Sequence, residues 1–202
     1  MSLGPPGLTL LSDHPSCNRR ASDCSRQLHS SIHGGFPMDP PPLIVFVCYG
    51  NICRSPLAEA LARQKLERAG LAGSIRVASA GMIAWPGSPA SQEMIDLAVK
   101  WGLDLSNHRA RKLNAYLLDE ATLVVTMTGV QCMMLQAAYP EFASRIVSLG
   151  ELAGSGEDVE DPYGRDLEAY RQCAAALKRL LDMAWPAIVQ RLPGQTTVKN
   201  SL

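Results

Sequence analysis

The stretch Leu43 to Pro56, LIVFVCYGNICRSP, constrains this chain more than any other. Leu43 to Cys48 are apolar without a break, the mark of a strand buried on both faces of a parallel sheet. Gly50, Asn51, Ser55 and Pro56 follow at once, so the strand gives way to a tight loop and a helix start. Such a loop turns successive backbone N–H groups into a concavity, and the helix N-terminus behind it adds partial positive charge. The place suits a phosphate or a similar oxyanion. Asn51 is a residue type that tolerates the left-handed backbone angles a tight loop needs.

Cys48 enters this loop and Arg54 leaves it, with five residues between them. That is about enough chain to wrap a tetrahedral anion, with a thiolate beneath it and a guanidinium beside it that grips two oxygens in a bidentate fork. Loop donors and the helix N-terminus favour the thiolate, which is the nucleophile, and Ser55 can donate a further hydrogen bond to the sulfur. The candidate phosphate-binding loop is therefore Tyr49, Gly50, Asn51, Ile52, Cys53, Arg54 and Ser55. C-x5-R alone recurs by chance in a chain with six cysteines; strand, C-x-G-N-x-C-R-S-P and helix together are far more specific. Cys48 and Cys53 do not make half a zinc site, because a second pair of ligands is not evident, and no metal is expected.

VCYGNICRSP resembles the signature of the low-molecular-weight protein tyrosine phosphatase family, and the similarity runs from about Leu43 to about Leu192. In that family the loop cysteine is the nucleophile, which falls on Cys48, and the loop arginine binds phosphate, which falls on Arg54. The family's general acid lies in a late Asp-Pro-Tyr, matched by Asp161-Pro162-Tyr163. Weaker matches are Ser79-Ala80-Gly81 followed by Trp85, and Gly102 to Ser106 with His108 to Arg111. The resemblance implies a supporting hydrogen-bond network of Asn51, Ser55, Ser79 and His108, and places Trp85 on the wall that meets a phosphotyrosine ring. Taken alone, Ser79 reads equally as a turn serine, and His108 as a surface histidine after Ser106-Asn107.

The remainder of the chain alternates helix and strand. Leu57 to Ala69 predicts a helix behind Pro56 with Gly70 as its stop, and Arg76 to Ala80 a second strand. A helix capped by Ser88 is expected to run through Trp101 to Gly102, with Met94, Ile95, Ala98 and Trp101 inward and Trp101 in the core. Leu123 to Met127 predicts a strand, Val130 to Tyr139 a helix closed by Pro140, and Arg145 to Leu149 a fourth strand. Gly150 to Arg165 reads as an acidic loop whose carboxylates are mostly solvated; Asp161 stands out because Pro162 holds it extended and Tyr163 places an aromatic beside it. Asp166 to Leu192 is a long helix, with a kink expected at Pro186. The alternation implies an α/β fold, a three-layer sandwich with a four-stranded parallel sheet flanked by helices, and right-handed crossovers bring Cys48 and Asp161 to one edge. The resemblance makes that fold flavodoxin-like.

Composition sets the outer bounds. With 202 residues, 47% hydrophobic and 19% charged, the chain has room for one domain of about 150 residues plus a tail. Formal net charge is zero, so neither nucleic acid nor an anionic membrane is expected as a partner. Residues 1–37 are rich in Gly, Pro, Ser and Arg without periodicity and are expected to be a disordered extension, with Met38 as an alternative start. The phosphatase domain is then 38–195, followed by a tail over 196–202. Leu8 to Leu11 is too brief for a signal-peptide core, and six cysteines fall short of disulfide-scaffold density, which fits a cytoplasmic chain. A monomer is expected.

Loop chemistry and resemblance together imply two-step phosphoryl transfer without a metal or organic cofactor. Cys48 attacks phosphorus, Arg54 and the loop amides stabilise the equatorial oxygens, and Asp161 protonates the leaving phenolate. Asp161 then activates the water that hydrolyses the cysteinyl phosphate. Ile52, Trp85 and Tyr163 make an apolar slot suited to phosphotyrosine in a protein, or to a small phosphate monoester. Protein-arginine phosphatases of the same family carry threonine at the position of Ile52, which argues for tyrosine; Gly164 after Asp-Pro-Tyr also matches the arginine branch, so both stay open. An arsenate reductase needs a downstream cysteine pair, and no cysteine lies between Cys53 and Cys132. A silent phosphate-dependent binding module is disfavoured because nucleophile, arginine and acid are all present. Cys53 is the candidate redox residue, able to form a disulfide that protects Cys48 from over-oxidation.

Overall fold

The computed structural model describes residues 40–193 together with Met1. The expectations for 2–37, for a start at Met38 and for the tail 196–202 lie outside the described residues. β1 (Leu43–Cys48) is buried along its whole length, and its alternate residues enter two separate apolar clusters. Ile44, Phe46 and Cys48 pack with α1 (Arg54–Arg68), α2 (Gln92–Val99) and α6 (Leu167–Gln190). Leu43, Val45 and Val47 pack with α3 (Ala115–Glu120) and α4 (Gly129–Ala138). A strand with helices over both pleat faces must be apolar on both, which is why Leu43 to Cys48 shows no alternation.

β2 (Arg76–Gly81), β3 (Leu123–Thr126) and β4 (Ile146–Ser148) complete a sheet of order β2-β1-β3-β4, parallel throughout. The three-layer sandwich expected from the alternating pattern is therefore the fold. The chain leaves β1 toward one side for β2 and returns to its other side for β3, so the strand order reverses at β1. In open parallel sheets the crevice at such a reversal, outside the carboxyl ends of the strands, is where ligands bind. The loop after Cys48 occupies that position.

Several boundaries differ from those expected. α1 starts at Arg54, three residues before Leu57, so the loop passes directly into helix. Pro56 sits in the first turn, where its missing N–H removes no intrahelical bond, because the first four donors of a helix have no partner inside it. α2 starts after Ser91 instead of Ser88, whose N–H closes a turn onto Trp85 O at 3.3 Å. Trp101 is half-buried at the margin of the core, beyond the end of α2.

α3 and the short α5 (Leu149–Leu152) were not foreseen. α3 spans six residues, too few to show a periodic stripe, and is capped by Asn114, whose Oδ1 accepts the Leu117 N–H at 2.9 Å. α5 lies partly inside the stretch read as acidic loop and braces that loop: a Cβ on Gly150 would stand 2.2 Å from Glu157 O. α6 continues through Pro186 to Gln190 and buries Tyr170, Cys173, Leu177, Leu181 and Ala184. Among the described residues no helix is long and apolar enough to cross a membrane.

Candidate active site

Asn51 is the keystone of the loop between β1 and α1. Its φ of 56° is the one positive value at a non-glycine position among the described residues, and its side chain is completely buried. A strained, buried amide persists only if its hydrogen bonds are satisfied. Both Nδ2 protons are used, donated to Ser55 Oγ and Ser79 Oγ, each at 2.9 Å. Oδ1 accepts the Arg111 N–H at 2.9 Å. The Asn51 carbonyl lies 2.7 Å from His108 Nε2; a carbonyl only accepts, so Nε2 carries the proton. The structure thus brings together the supporting residues that the resemblance implied: Asn51, Ser55, Ser79 and His108.

Ser55 sits between this network and the sulfur. Its Oγ is 3.0 Å from Cys48 Sγ and 3.2 Å from Ala80 O, while the Asn51 amide already occupies one of its lone pairs. A hydroxyl has one proton to give. With Cys48 as a thiol, S–H donates to Oγ and the hydroxyl donates to Ala80 O; with Cys48 as a thiolate, the hydroxyl turns to the sulfur. Ser79 Oγ in turn donates to Glu59 Oε2 at 2.7 Å, and Arg111 Nε donates to Ser79 O at 2.7 Å. Neither Glu59 nor Arg111 was assigned a role from sequence. Glu59 stands one helical turn after Ser55 on α1, a spacing that marks it as a neighbour. Arg111 contacts Asn51 through its backbone N–H, which residue type does not advertise.

Arg54 joins the loop to the distant Asp-Pro-Tyr segment. Only 2% exposed, it donates from Nη1 to Val159 O at 3.1 Å and pairs through Nη2 with Asp161 Oδ2. Its Nε is a buried donor with no partner among the described residues, and an anion held in the loop would satisfy it. The acid-bearing segment is anchored just before Asp161. The Val159 N–H donates to Met127 O at 2.9 Å, Asp158 Oδ1 accepts the Gly129 N–H at 2.7 Å, and Glu157 pairs with Arg179 on α6 at 2.6 Å. Cys48, Arg54 and Asp161 therefore meet at one edge of the sheet.

Above them opens a cleft of about 440 Å³ lined by Cys48, Tyr49, Gly50, Ile52, Cys53, Arg54, Ile83, Asp161 and Tyr163. Ile52 and Tyr163 line it as expected, but Trp85 does not: it is 82% exposed and outside the lining. The reason lies in the backbone. Past the strand ends, Met82 N–H still donates to Cys48 O at 2.9 Å and Ile83 N–H to Tyr49 O at 3.0 Å, which sets Ile83 beside the loop. The chain then turns at Pro86-Gly87, where the Gly87 N–H donates to Ala110 O at 2.8 Å.

Cys53 Sγ lies 3.3 Å from Ser91 Oγ and 3.9 Å from the Tyr170 hydroxyl, and burial pushes its thiol up to about 11. Cys173, nearby on α6, is pushed by burial up to about 12. Among the described residues no three His, Cys, Asp or Glu side chains gather as a metal site.

Fold and site define a parallel α/β protein with a tight loop between β1 and α1, a buried thiol at its start and a carboxylate reaching in from a later segment. The family model described as low molecular weight phosphotyrosine protein phosphatase matches residues 43–192, and the chain belongs to that family. The probable low molecular weight protein-tyrosine-phosphatase EpsP of Ralstonia solanacearum is 36% identical over 149 residues, covering 74% of this chain and 97% of that protein. A protein-arginine-phosphatase of Bacillus subtilis is 35% identical over 139 residues, covering 68% of this chain and 91% of that protein. The crystal structure of a low molecular weight protein tyrosine phosphatase from T. tengcongensis is similar with a TM-score of 0.67 at 39% identity, covering 72% of this chain and 99% of that one.

Proposed function

We propose that this chain hydrolyses phosphotyrosine in proteins through a cysteinyl-phosphate intermediate. The observation that carries the reading is the position of Cys48 Sγ at the base of the loop, 3.0 Å from Ser55 Oγ, with Arg54 and Asp161 at the same cleft. The phosphoryl oxygens take the loop N–H groups and the Arg54 donors, including the unpartnered Nε. Cys48 Sγ attacks phosphorus in line, the P–O bond breaks, and Asp161 gives its proton to the leaving phenolate. The resulting carboxylate takes a proton from water as that water attacks phosphorus, which frees phosphate and the thiolate. No step calls for a metal or cofactor. Ile52, Ile83, Tyr49 and Tyr163 supply apolar walls on which an aryl ring rests.

Buried, free Cys48, Cys53, Cys132 and Cys173 fit a reducing, cytoplasmic setting for a monomeric enzyme. A second reading, hydrolysis of phosphoarginine, is favoured by the similarity to protein-arginine-phosphatases and by Gly164 after Tyr163. The deciding experiment is phosphate release from phosphotyrosine, phosphoarginine and phosphoserine peptides, with Cys48→Ser alongside. Preference for phosphotyrosine, abolished in Cys48→Ser, is the expected outcome. Preference for phosphoarginine would transfer the same chemistry to the second reading, and binding without release would overturn both.

A further inference from the structure

Helix α4 carries an anomaly. Gly129 to Ala138 reads GVQCMMLQAA, with no charged residue anywhere on a helix at the molecular surface. Its inward face is accounted for by Gln131, Cys132 and Leu135, which are buried. The outward face presents Val130, Met133, Met134 and Ala137, a second apolar stripe at i, i+3, i+4 and i+7, with Val130 at 53%, Met133 at 63% and Met134 at 48% exposure. A surface helix normally turns charged or polar residues to water. Apolar residues contiguous on an exposed face mark contact surfaces.

The stripe does not stand apart from the cleft. Tyr49, which lines the cleft, places its hydroxyl 3.8 Å from Met134 Sδ, so the apolar surface runs from the cleft wall across Tyr49 onto α4. Asp158, three residues before Asp161, also grips the first N–H of α4, which ties the helix start to the acid-bearing segment. A phosphorylated side chain seated over Cys48 brings the polypeptide that carries it to this rim. Resting on the proposed phosphatase function, we propose that the α4 stripe docks the substrate polypeptide and selects apolar residues beside the phosphorylated one. Methionine suits that task, because an unbranched, polarisable side chain repacks against varied partners. A second copy of the chain is the poorer occupant. A stable interface takes about 800 Å² from each partner, more than a four-residue stripe offers, and a copy seated there would stand over the lip of the cleft.

The test compares two substrates in the wild type and in a Val130→Glu, Met133→Glu double variant, both positions being exposed and outside the cleft lining. One is a small aryl phosphate; the other is a pair of phosphopeptides of the kind the wild type prefers, one with leucines and one with serines flanking the phosphorylated residue. The expected result is aryl phosphate turnover within twofold of wild type, and a loss of about tenfold in kcat/KM on the leucine-flanked peptide, carried by KM, so that its advantage over the serine-flanked peptide disappears. Unchanged kinetics on both peptides would overturn the proposal. An equal fall on aryl phosphate and peptides would also overturn it, because the damage would lie in the site and not in docking. A wild type that leaves aryl phosphate intact would strike the phosphatase reading itself, and the docking surface with it.

Discussion

At the residue scale the network around Asn51 converges on one hydroxyl. Ser55 hydrogen-bonds the sulfur, and it has a neutral acceptor, Ala80 O, to which it turns when the sulfur is protonated. Removing it should leave the loop in place, since Asn51 keeps its bonds to Ser79, Arg111 and His108. A hydrogen bond to a charged group contributes about 1.5–3 kcal/mol, so Ser55→Ala should lower kcat about 10- to 100-fold. Inhibition by inorganic phosphate should change far less; if phosphate binding falls in parallel with kcat, Ser55 shapes the loop instead of stabilising the thiolate. Cys53 yields a different expectation. Peroxide should convert Cys48 to a sulfenic acid, and attack by Cys53 sulfur should then expel water and close a disulfide. With its thiol held up to about 11 by burial, Cys53 is protonated at neutral pH, and closure should accelerate about tenfold per pH unit between 7 and 9. Mass spectrometry follows the loss of two hydrogens. Recovery of peroxide-treated Cys53→Ser by thiols as fully as wild type would remove Cys53 from this role.

At the scale of elements, the loop is held in place by what the neighbouring strand lacks. β2 ends at Gly81, where an added Cβ would meet Tyr49 O at 2.6 Å, Ala84 Cβ at 2.8 Å and Asn51 N at 2.9 Å. Two of those three atoms are backbone of the loop between β1 and α1 and cannot step aside without moving it. Gly81→Ala should therefore cost about 1–3 kcal/mol of stability, and should lower kcat/KM by at least tenfold through displaced loop donors. Wild-type melting and turnover in this variant would show that the loop holds its shape independently of β2. The same reasoning explains the acid segment, whose approach to the loop depends on β3, α4, α5 and α6 acting as fixed walls.

At the scale of the molecule, β1 contributes three residues to each of the two cores, and β3 and β4 also reach both. Phe46 is fully buried in the cluster with α1, α2 and α6, so Phe46→Ala should cost about 3–5 kcal/mol and lower the melting temperature on the order of 10 °C. A shift of under 2 °C would mean that the cluster closes over the space. Asp182 on α6 binds Lys65 of α1 at 2.5 Å and Lys178 at 3.2 Å. Burial alone would raise its carboxyl, but the hydrogen bonds and charges of the two lysines outweigh it and hold the group below its ordinary 3.8. A depressed carboxylate stabilises the fold above the unfolded value, and that contribution fades as pH falls through the lower folded value. Asp182→Asn should therefore melt slightly below wild type at pH 7, by no more than about 1 kcal/mol for so exposed a pair, with the difference shrinking as pH is taken below 3.8. A difference that persists unchanged in acid would assign the loss to something other than this ion pair.

Sequence alone determined the strand, loop and helix from Leu43 onward, the parallel α/β class, and Cys48, Arg54 and Asp161 as the groups to watch, because each is written in local chemistry: an unbroken apolar run, a spacing, a residue before proline. Asn51 was legible in the same way, as a residue type fit for positive φ. What only tertiary structure decided is everything that depends on where the backbone goes between elements. Ile83 and not Trp85 lines the cleft because β1–β2 pairing continues two residues past the strands. Glu59 and Arg111 reach the network through a helix turn and a backbone N–H from another segment, and the outer stripe of α4 gains meaning only from Tyr49 beside it. Local sequence specifies conformation and reactivity over a few residues, whereas contacts between segments far apart in the chain exist only after the sheet has ordered them.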